Sequence, residues 1–313
     1  MQATDFIMVA FLAYNGMKGV IILLIQSQKG DQSSMSAIVY DSRPLVARMI
    51  EELRRDAARF HTEHHRPARL AQVLVGHDEA AELYSRQLVR ACRQIGLTCA
   101  TLACPFAIQE EELRAELAAL NDDPNNDGVV LLLPLPSHIR QRMVTDVLRP
   151  QKDVDGLGPY NAGNMMLGFP YFVPSTADAV LAVLHDAGLS VAGRNAVIVG
   201  RSNIGGKPIA LALLNQDATV TICHSYTHNL AELTRDADVL VVSVGRPALI
   251  TADMVKPGAL VFDAGINRVN GKIVGDVDFA RVKEVASFIT PVPHGLGPLI
   301  HLTLIRHVLT GPQ

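Results

Sequence analysis

The stretch Ala196 to Pro208, AVIVGRSNIGGKP, carries the plainest chemistry in the chain. The β-branched run Val197-Ile198-Val199 breaks into Gly200, and Gly205 and Gly206 precede Pro208 and the apolar run Ile209 to Leu214. This predicts a buried strand, a tight loop and a helix whose first turn tolerates proline. Glycines there let a ligand approach the backbone, and the free amides at the helix start can seat a phosphate. The spacing Gly200-x-Ser202-x-x-x-Gly206 departs from Gly-x-Gly-x-x-Gly, so the flanking elements carry the expectation more than the loop does. Roughly twenty residues on, where a nucleotide-binding sheet places an acid for a ribose 2′-hydroxyl, the residues are Cys223-His224-Ser225. With no acid there, Arg201 and Ser225 are the groups suited to a 2′-phosphate, which points to NADP. A solvated loop arginine is the competing reading of Arg201.

Two other stretches set special residues at the ends of apolar runs. Pro134-Leu135-Pro136 closes the run Gly128 to Leu133, and Lys152-Asp153-Val154-Asp155-Gly156 follows a short helical pattern at residues 143–148. Ligands of α/β proteins gather at such strand carboxyl ends.

The elements that must position these groups alternate. Strands are expected at 37–40, 70–76, 98–103, 128–133, 218–222, 239–244, 260–263 and 287–289. Helices are expected at 44–61, 79–96, 108–121, 177–187 and 297–309, the first with Leu45, Val46, Met49, Ile50 and Leu53 at helical spacing. Strand and helix in alternation imply parallel βαβ units and an α/β fold.

With 313 residues, the chain has room for a full core in two domains. A net charge of -3 supplies no field to gather nucleic acid. The four cysteines, Cys92, Cys99, Cys104 and Cys223, show no zinc spacing, which fits a reduced cytoplasmic protein without a bound metal. Near the N-terminus, Phe6 to Tyr14 and Val20 to Ile25 are apolar, but Asn15 to Gly19 divides them. Neither half is long enough to span a bilayer, and no basic region marks a signal peptide. Residues 1–35 are therefore expected to be an appendage outside the fold, with no membrane partner.

Taken together, these stretches resemble the methylenetetrahydrofolate dehydrogenase/cyclohydrolase family from about Ala37 to Leu309. The resemblance is carried by Lys152 to Gly156 with Pro159-Tyr160-Asn161, Gly200 to Pro208, Cys223-His224-Ser225, Asp263 to Asn267, Val274 to Val277 and Ile289 to Pro293. It implies oxidation of 5,10-methylenetetrahydrofolate with NADP, then hydrolysis of the methenyl product to 10-formyltetrahydrofolate, in one cleft of a homodimer. It also implies a folate-binding domain at 36–172, completed by a terminal helix within 292–313, and a Rossmann-like NADP-binding domain with a parallel sheet at 173–291. Tyr84 and Asp155 are the implied catalytic residues. Leu133, Pro293, His294 and Gly295 join them in binding folate, and Gly200, Arg201, Ser202, Ser225 and Ile266 bind the cofactor.

The chain departs from the family at telling positions. The family's Tyr is followed four residues later by Lys, on one helix face; here Tyr84 is followed by Leu88. The family's Gln before the Pro-Leu-Pro loop is Leu132, its first loop glycine is His294, its Met-Thr is Leu299-Ile300, and the basic residue after Cys-His-Ser is Tyr226. Hydrolysis of the methenyl bridge needs a polar group to manage proton transfers, and Leu88 and Leu132 supply none. Hydride transfer asks mainly for alignment of two carbons. The leading expectation is thus a dehydrogenase whose cyclohydrolase step is lost or weak. A fully bifunctional enzyme and a catalytically silent folate- or nucleotide-binding paralog are the alternatives.

Overall fold

The structure is a computed structural model that describes residues 37–312. The appendage expected at residues 1–35 lies outside the described residues. The chain runs β1 (Ile38–Val39), α1 (Arg43–His64), β2 (Arg69–Val75), α2 (Glu79–Ile95), β3 (Thr98–Cys104), α3 (Glu110–Asp122), β4 (Gly128–Leu131), α4 (Gln141–Thr145), α5 (Pro159–Met166) and α6 (Ser175–Asp186). It continues β5 (Asn195–Val199), α7 (Gly206–Leu214), β6 (Thr219–Cys223), α8 (Leu230–Arg235), β7 (Val239–Val242), β8 (Leu260–Asp263), β9 (Asn267–Val269), β10 (Lys272–Val274), α9 (Phe279–Val282), β11 (Phe288–Ile289) and α10 (Gly297–Thr310).

Two parallel sheets divide the work. The first has the order β3-β2-β4, and the second the order β1-β11-β8-β7-β5-β6. Their central strands are apolar runs because helices cover them, as parallel sheets require. In the second sheet β5 lies between β6 and β7, so the winding reverses at β5, and a crevice opens beyond its carboxyl end. Gly200 follows that end directly.

The domain division expected from sequence places Ile38 and Val39 in the first domain. In the structure they instead pair in parallel with Phe288 and Ile289 of β11 and form an edge of the second sheet. The amides of Ile38 and Tyr40 donate to Ser287 (2.8 Å) and Ile289 (2.9 Å), and the Tyr40 ring packs on Phe288 at 5.6 Å. These bonds satisfy a sheet edge that would otherwise be open.

Local signals explain the helices that carry the site. Asp78 caps α2 by accepting from the Ala81 amide at 2.8 Å, and Gly96 ends it in the left-handed region. Ala81, Ser85, Leu88, Cys92 and Ile95 form its buried stripe. Helix α10 packs against α1, α6 and α2, although it follows the second sheet in sequence. Its hold is specific. His307 Nδ1 lies 2.8 Å from the Val154 carbonyl, and Arg306 forms an ion pair with Asp178 of α6.

Candidate active site

The loop after α4 is pinned residue by residue. Lys152 donates to the carbonyls of Asn121 and Asp123, both at 2.7 Å, and Val129 of β4 donates to the Lys152 carbonyl at 2.6 Å. Asp153 is buried and accepts from the Leu157 (3.0 Å) and Gly158 (2.7 Å) amides and from Asn161 Nδ2 (2.9 Å). Burial pushes its carboxyl up to about 6, against the pull of those donors.

Those anchors present Asp155 to the start of α6. Its Oδ1 accepts from the Ser175 amide at 3.0 Å and the Ser175 hydroxyl at 2.6 Å. A carboxylate at a helix N-terminus is well placed electrostatically. Burial still raises its pKa, with the Ser175 donors and His307 opposing that shift. Tyr84, half-buried on α2, belongs to the same cluster. Burial raises its phenol well above the ordinary value, the nearby Asp155 charge adds to this, and the neighbouring Ser175 hydroxyl opposes it.

One turn beyond Tyr84, Leu88 is completely buried, and Leu132, just past β4, is 4% exposed. Both belong to one apolar cluster with Leu296 and Leu299. Leu133 follows, joined to Pro134 by a cis peptide bond. Pro293, also after a cis bond, begins the turn into α10. His294 is exposed with φ +75°, and its carbonyl accepts from the Ser42 amide (3.1 Å) and hydroxyl (2.7 Å) at the start of α1. At Gly295 an added Cβ would stand 2.3 Å from the Pro291 carbonyl oxygen, so close backbone approach requires glycine.

The nucleotide loop depends on backbone. Gly200 has φ +131°, and a Cβ on Gly206 would meet the Gly200 oxygen at 2.0 Å. Ser202 Oγ accepts from the Gly205 amide at 3.1 Å, holding the turn from within. No side chain caps the start of α7, but the Lys207 amide donates to the Ser202 carbonyl at 3.1 Å and Pro208 has no N–H, so among the described residues Gly206 carries the one first-turn amide without a partner. Arg201, Ser202, Asn203 and Ser225 are exposed around this turn, and the Arg201 guanidinium lies over the Tyr226 ring at 5.5 Å. The free Gly206 amide at a helix start, a nearby arginine and no acid at the end of β6 suit a phosphorylated nucleotide. Ile266, 60% exposed, lies in a loop braced by two buried aspartates. Asp263 accepts from the Gly265, Asp276 and Val277 amides, while Asp276 accepts from Val244, Gly245 and Arg246 amides and from Asn267 Nδ2.

The comparisons with known proteins agree on one family. The catalytic domain of tetrahydrofolate dehydrogenase/cyclohydrolase matches residues 40–155, and the NAD(P)-binding domain of the same family matches residues 174–312. The bifunctional protein FolD of Halalkalibacterium halodurans is 45% identical over 275 residues, which cover 88% of this chain and 98% of that protein. The chain belongs to the tetrahydrofolate dehydrogenase/cyclohydrolase family. The FolD structure from Campylobacter jejuni superposes with a TM-score of 0.83 at 38% identity, covering 88% of this chain and 98% of that one. The Trypanosoma brucei methylenetetrahydrofolate dehydrogenase-cyclohydrolase, solved with NADP cofactor and an inhibitor, also gives 0.83, at 33% identity, with 88% and 97% covered. The two-domain α/β fold expected from sequence is therefore that of this family. Within it, Asp155 closes the catalytic-domain match, and the phosphate loop falls inside the NAD(P)-binding domain.

Among the described residues, the structure gathers Tyr84 and Asp155 into one cluster, and Arg201 with the turn next to Ser225. Ser175, Asp153, Asp263 and Asp276 were not assigned roles from sequence. The pair Pro174-Ser175 was a readable helix-start signal, whereas the aspartates act through backbone amides that no spacing rule reveals.

Proposed function

We propose that this protein oxidises 5,10-methylenetetrahydrofolate to the methenyl form with NADP. The observation that carries this reading is that one chain joins a glycine-built phosphate loop bearing Arg201 to a cleft in which Tyr84 lies near Asp155, itself held by Ser175. Bound NADP supplies the hydride acceptor. The protein's part is to hold donor and acceptor carbons in line. Asp155 keeps Oδ2 free of intramolecular partners among the described residues, ready to accept from the substrate's ring N–H and amino groups. Tyr84 offers its ring as a packing surface. Arg201, braced by Tyr226, meets the 2′-phosphate with Ser225, and the Gly206 amide at the start of α7 meets the pyrophosphate.

The name bifunctional, borne by the FolD relatives, supports retention of methenyl hydrolysis in the same cleft. A second reading, in which hydrolysis is lost or weak, is favoured by the buried apolar side chains of Leu88 and Leu132. One absorbance assay following NADPH and the methenyl product tests both. Formation of NADPH supports the dehydrogenase, and its absence overturns the proposal and favours a silent binding paralog. Accumulation of the methenyl product favours the second reading, whereas prompt conversion to 10-formyltetrahydrofolate favours the bifunctional one.

A cytoplasmic homodimer completes the proposal. The described cysteines are all free, and Thr98, Thr101 and Ala103 are exposed on β3, an edge strand open to strand addition. Sedimentation of the purified protein tests the dimer.

A further inference from the structure

Two histidines of α10 differ in what their rings touch. His307 is partnered at both nitrogens, Nδ1 to the Val154 carbonyl at 2.8 Å and Nε2 to Asp178 at 3.4 Å. It is a structural residue that ties the helix to the loop bearing Asp155. His301 is 8% exposed, and its Nε2 is enclosed without a hydrogen-bond partner among the described residues. A buried polar atom left unpaired is costly and calls for an explanation.

Its position supplies one. The His301 ring lies 4.3 Å from the Tyr84 ring, centroid to centroid, with planes 32° apart. Tyr84 lies near Ser175, whose hydroxyl donates to Asp155 at 2.6 Å. Leu88, Leu132 and Leu299 belong to the apolar core that α2 and α10 share. Burial lowers the His301 pKa to about 4, outweighing the nearby carbonyls of Tyr84 and Gly297, so the ring is neutral at pH 7. A neutral imidazole offers one N–H and one lone pair.

We propose that His301 is a specificity-determining residue whose Nε2 hydrogen-bonds the reduced pteridine ring of the substrate when that ring packs against Tyr84. This rests on the folate reading of the cleft given above. The test compares His301→Val and His301→Gln with the unaltered full-length chain. For each, KM for methylenetetrahydrofolate and for NADP, calorimetric Kd for tetrahydrofolate, and thermal midpoint are measured. Valine should raise the folate KM and Kd roughly tenfold, the effect of one lost ligand hydrogen bond, and leave the NADP KM within about twofold. Glutamine, whose amide can reach the place of Nε2, should restore most of the affinity. The thermal midpoint checks that each variant is folded at the assay temperature. Unchanged folate KM and Kd in His301→Val, or a lowered midpoint with unchanged KM, overturns the proposal. If the parent binds tetrahydrofolate without forming NADPH, the dehydrogenase reading fails alone, and the Kd series still decides the role of His301. If the parent binds no tetrahydrofolate, both fall.

Discussion

The phosphate loop and the folate cleft are built on different principles. The loop is chiefly backbone: Gly200 and Gly206 pack main chain against main chain, Gly205 sits against the Ser202 and Ser243 hydroxyls, and the Gly206 amide is left at the helix start. The cleft is side chain: Tyr84 comes from α2, Asp155 from a loop, Ser175 from α6 and His301 from α10. A backbone site tolerates change in its surroundings and fails abruptly at its glycines. A side-chain site can be rebuilt one residue at a time, and the positions of Leu88, Leu132 and His301 show where such rebuilding is possible.

Substitutions in the two regions should therefore fail differently. The largest effect is expected for Gly206→Ala, whose Cβ would lie 2.0 Å from the Gly200 oxygen and 2.4 Å from its carbon. A clash of backbone with a new side chain should cost more than about 4 kcal/mol. Urea unfolding and NADP titration should both collapse, and a stable, NADP-binding variant would show the loop to be softer than described. Next, Asp155→Ala should lower kcat/KM for the folate roughly 100-fold, about 3 kcal/mol, with NADP affinity retained. A parallel loss of NADP affinity would erase the distinction between the two regions.

A pH series separates them in another way. Folded His301 takes up its proton only near pH 4, whereas the unfolded side chain does so near 6.5. The unfolded state thus binds the proton first, and stability falls as pH drops through that window, by up to about 3 kcal/mol. His301→Val should lack this component in denaturation curves at pH 7 and pH 4.5. Asp153 and Asp263, pushed up to about 6 by burial, act in the opposite sense and cancel in the comparison. Arg201→Ala should raise the NADP KM about 30-fold, near 2 kcal/mol, and leave that for NAD unchanged. The smallest effect is expected for His294→Gly. Relief of the left-handed φ of +75° should add about 1 kcal/mol of stability, read by thermal melting.

How much was legible in advance follows the same division. The strand-loop-helix at Val197 to Leu214 could be read because periodicity, glycine and proline act locally. The parallel α/β plan was legible for the same reason. The hairpin of β9 and β10 was missed although Asn270-Gly271, both with positive φ, is a strong turn signal; three-residue strands leave too little alternation to notice. Strand β1 was found but grouped with residues 36–172, since two residues carry no information about their pairing with β11. In the cleft, Tyr84 and Asp155 were named through the family resemblance. Ser175 and His301 escaped because their relation to Tyr84 arises only when α2, α6 and α10 converge.

The crossing of the two ends has a consequence for how such a gene can be cut and recombined. Strand β1 comes from the N-terminal side and completes the second sheet, while α10 comes from the C-terminal side and covers the first half. Neither half is a contiguous cassette. A fragment that stops before α10 lacks the partners of Val154 and Asp178, and a fragment that begins after α6 lacks the strand that covers β11. Shuffling between relatives should succeed when both ends are exchanged together, because the unit of inheritance here is the interlocked pair.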